Sequence, residues 1–121
     1  MAATTDLDLG PLSWVKGEID LALGRAHEAL GKFAGDPDDS AQLKFARTHL
    51  HQAHGALSIV GLDGVTQVSE AIELLLAAVE GGQVDATPAV GELAQKAITA
   101  IRHYLDEVAS GVPNQPLKFL E

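Results

Sequence analysis

The chain has no cysteine. Disulfides, thiolate catalysis and cysteine-based zinc sites are therefore excluded. Aromatic residues are scarce, with one Trp, one Tyr and three Phe in 121 residues. Hydrophobic residues nevertheless make up 46% of the chain. The core must be built from Leu, Ile, Val and Ala, and Ala and Leu are strong helix formers. Basic residues are also few: eight Lys and Arg stand against 17 Asp and Glu, for a formal net charge of -9. That balance argues against nucleic acid and against an anionic membrane surface as partners. No apolar run approaches the roughly 18 residues that a bilayer span requires. Met1 to Gly10 lacks both the basic start and the apolar stretch of a secretory signal. These absences leave one soluble, cytoplasmic domain as the expectation.

Four segments carry the periodicity of amphipathic helices. The first is expected from Pro11 or Leu12 to about Phe33, with Leu12, Val15, Ile19, Ala22, Ala26, Ala29 and Phe33 as its stripe and Pro11 in its first turn. Gly10, Gly17, Gly24 and Gly31 recur along it every seven residues. Gly35-Asp36-Pro37-Asp38-Asp39 reads as a loop, and Asp38, Asp39 or Ser40 can cap the next helix. That second helix is expected from about Ser40 to Val60, with Leu43, Ala46, Leu50, Ala53, Leu57 and Val60 inward. After a turn at Gly61–Gly64, a third runs to Glu80 on Val65, Val68, Ile72, Leu75 and Val79, and Gly81-Gly82 ends it. Thr87-Pro88 opens the fourth as cap and first-turn proline. Its stripe is Val90, Leu93, Ala97, Ile101, Tyr104 or Leu105, and Val108, and Gly111 and Pro113 stop it. Trp14 and Phe33 are expected to seal the two ends. No strand pattern competes. The prediction is an all-α, antiparallel up-down four-helix bundle over residues 12–111, with an N-terminal arm (1–11) and a C-terminal tail or linker (112–121) that is apolar at Leu117, Phe119 and Leu120.

Helical residues advance by roughly 100° each, so the second helix can be divided into faces. His49 falls within or beside the inward stripe. Arg47, His51, His54 and Ser58 fall opposite it, with Lys44 and Gly55 next to them. His51 should then be exposed and His49 at least partly buried. An exposed imidazole is the side chain best suited to act as a nucleophile near neutral pH. Gly55 in a helix interior sacrifices about 1 kcal/mol relative to Ala, and it leaves bare backbone where a large partner can approach. Lys44 and Arg47, one to two turns before His51, could hold phosphoryl oxygens or meet an acidic partner.

The stretch His51-Gln52-Ala53-His54-Gly55-Ala56-Leu57-Ser58-Ile59-Val60-Gly61 resembles the histidine-phosphotransfer (HPt) domain, whose pattern is His-x-x-Lys-Gly with a second Gly ten residues after the His. His51, Gly55 and Gly61 match it, and His54 stands where the family has Lys. The resemblance implies a four-helix bundle with His51 as the phospho-accepting residue. It implies a histidine kinase catalytic domain as donor and a response-regulator receiver domain as acceptor. Lys44, Arg47, His54, Gly55 and Ser58 would then line the approach. No Gly-rich phosphate loop is present, so no cofactor is expected in this chain, and ATP and Mg²⁺ would belong to partner domains. Asp8 to Val15, Leu50 to Ala53 and Pro113 to Leu120 also look like the N-terminal region of CheA-like hybrid histidine kinases of type IV pilus chemotaxis-like systems.

Three rival readings are weaker or coarser. His51 and His54 could start a metal site, but such a site needs three or four converging ligands, and His51 faces out of the bundle; no metal is expected. Autonomous acid–base catalysis lacks a pocket or carboxylate near His51 in the sequence, and Glu70, Glu73 and Glu80 read most simply as a solvated face. His27 reads as core-edge packing and His103 as solvent-facing. The third rival is a degenerate, non-phosphorylated HPt-like docking or scaffold module, which the loss of Lys at position 54 would permit.

Overall fold

The computed structural model describes the backbone of residues 3–110 and the side chains of residues 14–110. Four helices follow one another: α1 (Ala3–Gly35), α2 (Ser40–Val60), α3 (Asp63–Glu80) and α4 (Pro88–Ala109). Short connections force neighbours to run antiparallel. α1 packs against both α2 and α4, and α2 packs against α3. Among the described residues there is no strand, and no helix is long and apolar enough to cross a membrane. The expected tail, with Gly111 and Pro113, lies outside the described residues, as does the side chain of Leu12.

The boundaries follow local chemistry. Asp39 caps α2, its carboxylate accepting from the Ala41 amide at 3.1 Å. Gly61 ends α2 at φ 76°, its amide returning to Leu57 and Ser58 carbonyls. A Cβ is strained in that left-handed region, which is why glycine serves there. Gly82, at φ 80°, turns the chain after α3. Pro88 occupies the first turn of α4, although the Thr87 hydroxyl makes no capping bond.

One boundary departs from expectation. α1 begins at Ala3 and not at Pro11 or Leu12, so residues 3–10, expected as part of an arm, are helical and continuous with it. A proline forfeits one backbone hydrogen bond in a helix interior, and the chain runs helical through it here.

The core is aliphatic. Ile19, Leu23, Leu30, Leu50, Leu57, Leu76, Ile98, Ile101 and Leu105 are fully buried, and so is Phe33, near the C-terminal end of α1 where a seal is expected. Trp14 does not close the other: it is 89% exposed. It precedes Val15 by one residue and so points about 100° away from the inward stripe. The stripes of α3 and α4 are each shifted in part: Val65, Ile72, Val79, Ile101, Tyr104 and Leu105 are buried as expected. In α3 Ser69 and Leu76 are buried more deeply than Val68, which packs at the core edge, and Leu75. Gly91, Ala94 and Ile98 are inward in α4, and Leu93 is 60% exposed. In α4 the cause is close packing. A Cβ on Gly91 would lie 2.9 Å from the Leu30 carbonyl oxygen, so α1 and α4 approach through their smallest residue and Leu93 is turned outward. Gln95 fixes the same seam by donating to the His27 carbonyl at 3.0 Å. His27 is half-buried at the core edge and His103 faces solvent, both as expected.

Candidate functional site

α2 presents its faces as helical geometry dictates. Leu43, Ala46, Leu50, Ala53 and Leu57 are buried. His49 is buried with them, its ring 4.4 Å from that of Phe45 and its Nδ1 donating to Gln52 Oε1 at 3.1 Å. The His51 side chain is 79% exposed. Lys44, Gly55 and Ser58 are exposed beside it, and Arg47 and His54 are half-buried. A Cβ built on Gly55 meets nothing within 4 Å. The backbone there is open to whatever approaches.

α3 lies antiparallel along this face and supplies carboxylates that the sequence alone does not place there. Glu73 accepts a hydrogen bond from His51 Nδ1 at 3.0 Å, and its other oxygen is 3.4 Å from His54 Nδ1. One turn or more along each helix, Glu80 pairs with the Arg47 guanidinium. Both carboxylates are mostly buried, with side-chain exposures of 19% and 16%. A shallow groove of about 690 Å³ runs between the helices, lined by Lys44, Arg47, Thr48, His51, Gln52, Glu73 and Glu80. Sequence makes these acids a solvated face and puts no carboxylate near His51. Glu73 and Glu80 correct both points, while Glu70 is exposed as expected. A signal for Glu73 does exist: His51 and Glu73 stand equally far along the chain from Leu62, in the turn that joins the two helices.

The chemistry of this arrangement follows from the ring nitrogens. A carboxylate can only accept, so Glu73 fixes the proton of neutral His51 on Nδ1. Nε2 then carries the free lone pair on an exposed ring. His54 stands parallel to His51, with ring centroids 6.3 Å apart and planes within 1°. Its Nδ1 is buried and makes no hydrogen bond despite the nearby Glu73 oxygen. Lys44 has no ion-pair partner among the described residues, and Thr48 turns its hydroxyl back to the Lys44 carbonyl at 3.0 Å. Among the described residues no group of three or more His, Asp or Glu side chains is placed to hold a metal ion.

The structure therefore brings together Lys44, Arg47 and His51 on one groove, sets His54 beside it against Glu73, and leaves Gly55 and Ser58 on the open surface beyond. A family model described as the Hpt domain matches residues 12–111. No curated protein and no solved structure matches the chain.

Proposed function

The chain belongs to the Hpt-domain family, whose members carry phosphoryl groups on histidine in phosphorelays, and from that membership we propose that His51 is the residue that accepts and passes on the phosphoryl group here. The observation that carries the assignment is the His51–Glu73 hydrogen bond beneath a ring left 79% exposed. Nδ1 is protonated and tethered, and Nε2 is free and outward.

In the forward step the Nε2 lone pair attacks phosphorus. A P–N bond forms and the P–O bond to the donor's leaving group breaks. The ring, now substituted on both nitrogens, acquires positive charge, and the Glu73 carboxylate lies against the Nδ1–H to balance it. In the onward step an aspartate oxygen of a receiver domain attacks the same phosphorus, the P–N bond breaks, and neutral imidazole returns. The chain supplies the nucleophile and its positioning. ATP is held by the histidine kinase catalytic domain and Mg²⁺ by the receiver, so catalysis here is mostly placement of the reacting atoms. The open backbone at Gly55, with Ser58 and the 78% exposed Ile59 beyond it, offers the receiver a surface close to His51. Lys44 and His54 rim the approach. The words Asp8 to Val15 and Pro113 to Leu120 support a place in a CheA-like, chemotaxis-type kinase of a pilus motility system.

The test is phosphotransfer from a candidate kinase domain to wild type beside His51→Ala. Acid-labile label is expected on wild type alone, and the variant keeps its fold, with stability changed by about 1 kcal/mol or less because the side chain is exposed. The imidazole of His54, standing where a fixed positive charge is usual, favours the second reading of a non-phosphorylated docking module. That reading is supported if neither protein takes label while a receiver still binds.

A further inference from the structure

We propose that Arg47, aimed by Glu80, is the phosphoryl-binding cation of this domain, so that the turn of α2 preceding His51 forms the phosphoryl site. The inference rests on His51 as the accepting residue and says where the transferred group lies. A phosphoryl on Nε2 carries close to two negative charges on its oxygens, only one of them offset by the imidazolium ring, in a chain of net charge -9 whose Glu73 carboxylate already lies against the other side of that ring. Something must offset that repulsion. His54 offers an imidazole with its Nδ1 turned toward Glu73, not a fixed cation. The groove that contains His51 holds two fixed cations, Lys44 and Arg47.

Geometry separates the two. Side chains on an α-helix lean toward its N-terminus, so the His51 ring overlies the preceding turn. Residues four apart on a helix are surface neighbours, at about 5–6 Å between Cβ atoms. Arg47 stands in that relation to His51. Lys44 is seven residues from His51, a further turn away. Arg47 is also the preorganised one. One terminal nitrogen of its guanidinium is held by Glu80, a carboxylate only 16% exposed. The fork has five N–H donors, so the others stay available to phosphoryl oxygens, and a planar fork matches phosphate oxygens better than an ammonium does. Glu80 is thus a positioning residue, and Arg47 touches the group transferred.

The experiment uses phosphoramidate as a small donor, so that no kinase surface enters. Nε2 attacks its phosphorus, the donor P–N bond breaks, and the already protonated nitrogen leaves as ammonia. Two quantities are read: the rate of His51 phosphorylation, with His51→Ala as blank, and the second ionisation of the bound phosphoryl, followed by its ³¹P resonance against pH. Arg47→Ala is expected to slow phosphorylation about tenfold and to raise the phosphoryl ionisation by about one pH unit, as loss of a nearby opposite charge does. Arg47→Lys should restore most of the ionisation shift but not the full rate. Glu80→Gln should fall between wild type and Arg47→Ala in both, and with Arg47→Lys it carries the test if Arg47→Ala does not fold. A lower melting temperature with unchanged rate and ionisation would make the Arg47–Glu80 pair merely structural and overturn the proposal. Wild type that takes no label on His51 from phosphoramidate or from a kinase domain would overturn the phosphocarrier reading itself, and this inference with it.

Discussion

The Glu73 carboxylate does two separable things for His51: it fixes the proton on Nδ1, and it opposes the charge the ring acquires when Nε2 bonds to phosphorus. Substitutions can pull these apart. Glu73→Gln retains an oxygen that can accept from Nδ1 but has no charge, whereas Glu73→Ala loses both. Hydrogen bonds to charged groups contribute about 1.5–3 kcal/mol, and each 1.4 kcal/mol is about tenfold in rate. Phosphorylation of Glu73→Ala should therefore slow about tenfold to hundredfold, with Glu73→Gln slowed less, both measured as initial rates with the fold checked by circular dichroism. Equal rates in wild type and Glu73→Ala would mean that the 3.0 Å contact does not order the ring in solution. At this scale the sequence is legible wherever one helix suffices. The exposure of His51, the burial of His49, the open side of Gly55 and the placing of Lys44 and Arg47 all follow from the pitch of α2. Glu73 and Glu80 are not legible in the same way, because their partners lie on another helix and depend on the phase at which α3 meets α2.

That phase is also what separates the expected elements from those observed. Number, order and most boundaries of the helices can be read from stripes, caps and turns, down to the Asp39 cap and the Gly61 stop. Rotation about the axis cannot be read for α3 and α4. In α3 apolar residues run from Leu74 through Val79, so two stripes fit the periodicity equally, and a small Ser69 inside completes the one adopted. In α4 the deciding contact is the backbone of α1 under Gly91, which no property of α4 alone announces. Two glycines in helix interiors then make opposite predictions. Gly91→Ala would place a methyl 2.9 Å from the Leu30 carbonyl and 3.1 Å from the Ala34 Cβ, and overpacking of this kind destabilises by about 1–3 kcal/mol. Gly55→Ala enters open space and should stabilise by up to about 1 kcal/mol through helix propensity. Urea midpoints read both. Gly55→Trp should keep the helix yet abolish transfer to a receiver, since the bare patch becomes the bulkiest point beside His51. Unimpaired transfer by Gly55→Trp would exclude docking over Gly55.

Across the whole bundle, α1 is tied to α4 by charge as well as by close packing. Lys16 lies 2.7 Å from Asp20 on its own helix and 2.6 Å from Asp106 on α4. The hydrogen bond from Lys16 holds the Asp106 carboxyl below its ordinary 3.8. The hydrogen bond to Asp106, followed by that to Asp20, raises the Lys16 ammonium above its ordinary 10.5. The two signs define a window. A carboxyl whose pKa is depressed on folding contributes stability that is complete above its unfolded value and lost as pH falls through the folded one. An ammonium whose pKa is raised contributes stability that is complete below its unfolded value and lost as pH rises through the folded one. The bridge should therefore hold between the two ordinary values and fail beyond them on both sides. Asp106 is 64% exposed, so solvent screens the pair and its contribution is at most about 1 kcal/mol. Urea unfolding of wild type and Asp106→Asn at about pH 3, 7 and 11 tests the window, and subtracting the variant removes the general self-repulsion of a chain with net charge -9. The difference should be largest near neutrality and shrink toward both extremes, and added salt should reduce it. A difference that is absent at neutral pH would show that the ion pair adds nothing, and that α1 and α4 are held by the shared aliphatic core, the Gly91 contact and the Gln95–His27 hydrogen bond.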